Sequence, residues 1–216
     1  MHLLDIHTHR PPLTPGQAIL NVFPADFAPQ SGQFYSVGYH PWYLSDTGSE
    51  DWNLLEQIVN HPQVLAVGEA GLDKMTGVDY SIQKNVFGQQ AELAMRIGKP
   101  LIIHCVRSYN EVVELKRRLK PTNPWIIHGF RGKKELAEQL ARQGISLSYG
   151  CKYQEEALRA TPLSMLFVET DESLLDIHFL YRQLAGCLSL PVGEFTERVQ
   201  KNIGSAFFNS NSCGFE

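Results

Sequence analysis

This chain is poor in the features that mark several whole classes of protein. Its four cysteines, Cys105, Cys151, Cys187 and Cys213, contain no C-x-x-C pair. Neither a thiolate metal knuckle nor a disulfide-stapled secreted domain fits that spacing. No apolar run approaches the length of a membrane span, and Asp5 and His7 stand where a secretory leader would need its apolar stretch. A reducing, cytoplasmic setting is expected. The sequence has no internal repeat, low-complexity tract or evident linker. It also lacks an excess of positive charge: 19 Lys and Arg against 23 Asp and Glu give a formal net charge of -4. That argues against a binder working through a broad basic surface, while a local basic patch stays open. What remains is 216 residues with 43% hydrophobic and 19% charged side chains, enough for one sizeable core. One domain over residues 1–216 is expected.

Along the chain, short apolar segments alternate with longer amphipathic ones. Strands are expected at 3–7, 18–23, 34–39, 64–69, 100–104, 125–128, 145–149 and 165–169. Helices are expected at 50–60, 80–97, 108–119, 132–142, 153–160, 173–188 and 192–208. Asp46 or Ser49 is the candidate cap of the first helix, and Gly98-Lys99-Pro100 reads as a helix stop. This rhythm predicts an α/β fold, a TIM-like (β/α) barrel with its site at the C-terminal strand ends. The first two strands are too close for an intervening helix, and 24–33 (PADFAPQSGQ) is rich in proline and turn residues. The first quarter is therefore expected to lack one or two outer helices and to be distorted or partly open.

The segment "LLDIHTHR" puts Leu3, Asp5, His7 and His9 on one face of an extended strand, so the two imidazoles can share an ion. Alone, His-x-His reads as exposed loop residues after a buried strand. Other strands, however, also end in a potential ligand: Glu69 in "VLAVGEAGLD", His104 in "PLIIHC", His128 in "WIIHGF" and Asp171 in "MLFVETD". Apolar strands disfavour such groups unless they are paired or bind metal. Four imidazoles and two carboxylates form a nitrogen and oxygen donor set suited to Zn, Mn, Co, Ni or Mg.

In this order, "DIHTH", "GYHP", "VGEAGLD", "PLIIHC", "HGFRG" and "ETD" resemble the motifs of the TatD-type metal-dependent deoxyribonuclease family of the amidohydrolase superfamily. The match runs from Asp5 to Asp171, and Asn202 to Phe208 weakly echo a further family motif. The resemblance implies two divalent ions, with His7, His9, Glu69 and Asp171 around one and Glu69, His104 and His128 around the other. Glu69 would bridge them. Two such ions can activate water and stabilise both oxygens of an in-line phosphoryl displacement. Asp171 would orient or deprotonate the water, making Asp171 and Glu69 the catalytic pair. His40 matches a motif at the pocket edge and is read as facing substrate, or as capping a proline turn. DNA or another phosphodiester is the implied substrate. A small ester, amide or lactone is the alternative; a metal-binding scaffold without turnover is disfavoured because no ligand position is missing.

Departures from the family pattern bear on substrate. "HCVRS" moves an expected Arg one step later, to Arg107, and "HGFRG" places Arg131 where a small polar residue is usual. Arg131 is the candidate phosphate contact, with Lys133 and Lys134 beside it, on a loop where Gly129 and Gly132 would let the backbone approach a ligand. Asp73 either supports a ligand histidine or caps a loop. Cys105 reads as core packing. Trp42 reads mostly as packing, with stacking on a base as its functional alternative.

Overall fold

The structure is a computed structural model and describes residues 4–208; Leu3 and Cys213 lie outside them. Eight parallel strands follow one another in chain order around a barrel. They are β1 (Asp5–Thr8), β2 (Ala18–Val22), β3 (Phe34–Val37), β4 (Val64–Asp73), β5 (Leu101–Val106), β6 (Trp125–Ile127), β7 (Ile145–Tyr149) and β8 (Leu166–Val168). A parallel bridge between Thr8 and Asp171 closes the ring at its mouth. There the Asp171 N–H donates to the His7 carbonyl at 3.0 Å, and the His9 N–H to the Asp171 carbonyl at 3.1 Å.

Helices α1 (Trp52–Val59), α2 (Tyr80–Ile97), α3 (Tyr109–Leu119), α4 (Lys134–Arg142), α5 (Glu155–Ala160), α6 (Ile177–Cys187) and α7 (Val192–Ile203) flank the strands. All of the expected helices are present, most with slightly shorter ends. Asp51 caps α1, accepting from the Leu54 N–H at 3.0 Å, in place of Asp46 or Ser49. Gly98 ends α2 with φ of 68°, a left-handed position that glycine adopts without strain. Among the described residues no helix is long and apolar enough to cross a membrane.

As expected, β1, β2 and β3 are joined without an α-helix; a 3-10 turn at Pro24–Asp26 is all that intervenes. The expected distortion takes the form of register slips between β1 and β2 and between β3 and β4, while β2 and β3 pair in regular parallel register. Aromatic packing does part of the missing helices' work. Phe27 meets Tyr35 edge-on at 5.3 Å, and Phe34 meets Phe208 from the π-helical turn after α7 at 5.7 Å.

Strand β4 runs to Asp73 rather than stopping at Glu69. "GEAG" looks like a turn, yet its glycines press the strand onto β5. A Cβ at Gly71 would lie 1.9 Å from the His104 carbonyl oxygen, and one at Gly68 would lie 2.6 Å from that of Ile102. Only glycine permits that approach. Pairing continues to Asp73 opposite Val106, so Glu69, Asp73 and His104 share one end of adjacent strands. Below them Ile102, Ile103, Ile126 and Ile127 are fully buried, each contributing about 1.5–3 kcal/mol relative to exposure.

Candidate active site

The six predicted ligand residues converge at the mouth, organised around one buried carboxylate. Glu69 Oε2 faces the β1 pair, 3.3 Å from His7 Nε2 and 3.1 Å from His9 Nε2. Asp171 Oδ1 lies 3.9 Å and 3.7 Å from the same two nitrogens. The other oxygen, Oε1, faces β5 and β6, 2.7 Å from His104 Nδ1 and 2.6 Å from His128 Nε2. Each oxygen of Glu69 thus has its own set of imidazoles. The His7 and His9 rings are 5.0 Å apart, on the shared face that their spacing predicts.

His40 reaches further in than a pocket-edge residue. Its Nε2 is 3.0 Å from Glu69 Oε1 and 3.2 Å from His104 Nδ1, while its Nδ1 accepts the Trp42 N–H at 3.1 Å. One nitrogen caps the proline turn, and the other joins the donors. Asp73 also does both things considered for it. Oδ1 accepts the Met75 N–H at 2.7 Å, and Oδ2 lies 3.2 Å from His104 Nε2. Cys105 is buried with the core, as expected.

Electrostatics hold the cluster together. Burial opposes ionisation of Glu69, but His128, His104 and His40 outweigh it and hold the carboxyl well below its usual range. Burial likewise opposes charge on His128, yet Glu69 and Glu169 on its two sides keep it well above the ordinary histidine value. The hydrogen bond to Glu69 raises His9, whereas burial lowers His40.

Three contributors were not singled out from the sequence as site residues. Glu169 is fully buried; its Oε1 accepts the Gly129 N–H at 2.5 Å and lies 3.4 Å from His128 Nδ1. Strand alternation in "ETD" was its available signal, since residues 169 and 171 share a face. Asn21 Oδ1 accepts the Glu69 N–H at 2.6 Å, and nothing in "AILNV" announces that. Asp5 carries no role in the sequence beyond its strand face and its place in "DIHTH". It accepts from the Thr170 hydroxyl at 2.6 Å, tying β1 to the end of β8, and burial pushes its carboxyl up to about 7.

The loop after β6 differs from expectation. Arg131 is exposed and lines the cavity, but Gly132 serves packing: a Cβ there would lie 2.5 Å from the Phe130 ring. The Gly129 N–H is already committed to Glu169. Phosphate capture by this loop therefore rests on side chains rather than on a backbone cradle.

A divalent cation suits the residues present. His7 is fully buried with neither ring nitrogen hydrogen-bonded, and His128 Nδ1 and Glu169 Oε2 are also without such partners. Unsatisfied buried groups of this kind cost about 1–3 kcal/mol each. Three overlapping donor groups, His7–His9–Glu69, His7–His128–Asp171 and His40–Glu69–His104, each bring their ligand atoms within 4.8 Å of one another. They open onto a cavity of about 660 Å³.

A parallel α/β barrel with imidazoles and carboxylates gathered at its mouth is the architecture of a metal-site barrel. Residues 26–184 match the sequence profile of the family described as TatD related DNase. The chain belongs to that family. It is 32% identical over 187 residues to the uncharacterized metal-dependent hydrolase TatD of Mycobacterium tuberculosis, covering 78% of this chain and 69% of that protein. It is 34% identical over 164 residues to the 3'-5' RNA nuclease TATDN2 of Homo sapiens, covering 69% of this chain and 21% of that protein. Against six further bacterial relatives, the chain spans 56–60% of their length. The same fold is seen in the crystal structure of YjjV, a TatD homologue from Escherichia coli. The TM-score is 0.82 at 21% identity, with 95% of this chain and 98% of that one covered.

Proposed function

We propose that this chain is a divalent-metal-dependent phosphodiesterase acting on nucleic acid. One observation carries the reading: the two oxygens of a single buried carboxylate, Glu69, face two separate imidazole sets. In this reading His7, His9, Glu69 and Asp171 would hold one ion, and Glu69, His104 and His128 a second, with His40 next to Glu69 and His104. Bound divalent ions supply Lewis acidity and lower the pKa of water, and zinc, magnesium, manganese, cobalt and nickel all suit nitrogen and oxygen donors.

The remaining roles belong to side chains. Asp171 is more exposed than Glu69 and borders the cavity, so its carboxylate can accept a proton from an attacking water. Arg131 faces the same cavity from the β6 loop, where its planar fork suits the oxygens of a phosphodiester. Glu169, with Oε1 3.4 Å from Nδ1, orients the His128 ring. Nuclease relatives favour nucleic acid over a small carboxylic ester as the substrate.

Incubating the protein with end-labelled single-stranded DNA and with a generic phosphodiester, with and without added divalent ion, tests this reading. Cleavage dependent on the ion is expected. Asp171→Asn should lower kcat by roughly 10²–10⁴-fold at saturating metal. Cleavage indifferent to metal, or turnover confined to carboxylic esters and lactones, would overturn the assignment.

A further inference from the structure

The cavity is chemically lopsided, and the strand order says how. Three of its four aromatic side chains, Phe23, Trp42 and Tyr43, follow β2 and β3, the fourth being Tyr109 after β5, whereas its cations, Arg107, Arg131 and Lys152, follow β5, β6 and β7. In an eight-stranded ring those two sets lie on opposite sides, with Glu69 and its imidazoles between them. Phe23 and Tyr43 meet edge-on at 5.3 Å, and Trp42 and Tyr43 at 6.3 Å, giving a continuous aromatic wall.

Trp42 is the unusual member. Nearly half of it is exposed (48%), and an indole in that position ordinarily gives its N–H to water. Here Nε1 donates at 2.6 Å to Asp73 Oδ2, a buried carboxylate oxygen that also lies 3.2 Å from His104 Nε2. The other nitrogen of that imidazole faces Glu69 at 2.7 Å. The Trp42 ring stands edge-on to both His40 (5.0 Å) and His104 (5.6 Å). One side chain therefore offers an apolar face to the cavity and anchors the carboxylate that orients a donor histidine.

We propose that Trp42 is the nucleobase platform of this site and, through Asp73, the positioning residue for His104. The proposal rests on the nucleic-acid reading above. A base stacked on the β3 side leaves its phosphate over Glu69, with the continuing backbone directed toward Arg107, Arg131 and Lys152. Stacking also holds the indole in the orientation that keeps its N–H on Asp73. Base recognition and alignment of His104 are thus coupled through one ring.

The two halves separate by substitution. Trp42→Phe keeps an aromatic face and deletes the N–H; Trp42→Ala deletes both. In zinc titrations Trp42→Phe should bind roughly 10–100-fold more weakly than wild type, the usual cost of losing support to a metal-binding histidine. Activity is compared on two phosphodiesters, one carrying thymidine and one without a base. Trp42→Ala should raise KM roughly 10-fold or more on the thymidine ester alone, as loss of one base–aromatic stack implies. Trp42→Phe should leave that KM near wild type.

The unsubstituted protein supplies a readout independent of turnover. Trp125 is fully buried and Trp52 partly so, which leaves Trp42 as the tryptophan facing solvent. Adding a single-stranded oligonucleotide should quench its emission and shield it from iodide, whereas dimethyl phosphate should do neither. Wild-type zinc affinity in Trp42→Phe overturns the positioning role. Equal KM changes on both esters, or no quenching by the oligonucleotide, overturns the platform. Quenching without hydrolysis of either ester leaves the platform standing and refutes the phosphodiesterase reading instead.

Discussion

Strand β5 connects two polar groups that live under different rules: Lys99, two residues before its start, and His104, within its final turn toward the mouth. Lys99 is half-buried at the base of the barrel, where Nζ donates to the carbonyls of Val59 (2.5 Å), Val64 (2.6 Å) and His61 (3.3 Å). Those are fixed backbone acceptors from the end of α1 and the start of β4. His104, by contrast, sits among Glu69, His40, His128 and Asp73, all of which titrate or change tautomer. Four unpartnered buried atoms, on His7, His128 and Glu169, lie in that same cluster. A polar group answered by backbone is there to hold the fold. Donors that converge without satisfying one another are arranged for something else, and here a cation meets the need.

Substitution at the hub breaks the contrast most severely. Glu69→Gln keeps the shape but removes the charge that both imidazole sets face. It should cost more than the roughly 10²–10⁴-fold typical of losing a general base. Zinc stoichiometry by elemental analysis should fall with activity, while far-ultraviolet circular dichroism stays native. Full stoichiometry in this variant would show that Glu69 does not join the two sets. Next in size is Glu169→Gln, which leaves the donors in place and weakens the support behind His128. Roughly 10–100-fold in metal affinity or kcat is expected, measured by competition with a chelating dye. An unchanged affinity would reduce Glu169 to an anchor for the Gly129 N–H.

These residues also show what a sequence can and cannot disclose. His7, His9, His104 and His128 were legible because a buried strand has no packing reason to end in imidazole. The helices were legible from their periodicity and from Gly98. Glu169 was harder, because it lies one face-step before Asp171 and looks like ordinary strand-end polarity. The extension of β4 to Asp73 was hidden for a physical reason. Glycines that favour a turn also allow two backbones to touch, and only the position of the His104 carbonyl decides between those uses. The depth of His40 depended on a turn geometry that "GYHP" does not specify.

Protons provide a gentler probe of the same cluster. Without a cation, the hydrogen bond to Glu69 raises His9; Glu69 and Glu169, outweighing burial, hold His128 well above the ordinary histidine value. Both must lose protons when a metal binds. Zinc affinity should therefore weaken as pH falls, the loss beginning above the usual histidine range. Calorimetry in two buffers of different ionisation enthalpy should register proton release on binding. Equal heats in both buffers would mean that these imidazoles are already neutral in the metal-free protein.

The smallest effect on chemistry should come from the other end of β5. Lys99→Met retains most of the apolar stem and removes the ammonium, stranding the carbonyls of Val59, His61 and Val64. An unsatisfied buried acceptor typically costs about 1–3 kcal/mol, so the urea midpoint should fall measurably. The donors at the mouth are held by Asp73, Glu169 and Asn21, whereas Lys99 Nζ bonds only the carbonyls of Val59, His61 and Val64. Metal affinity and kcat per folded molecule should consequently remain at wild-type values. A drop in kcat at full folding would show that the base of β5 helps to set the position of His104, and the division between a holding end and a working end would have to be redrawn along that strand.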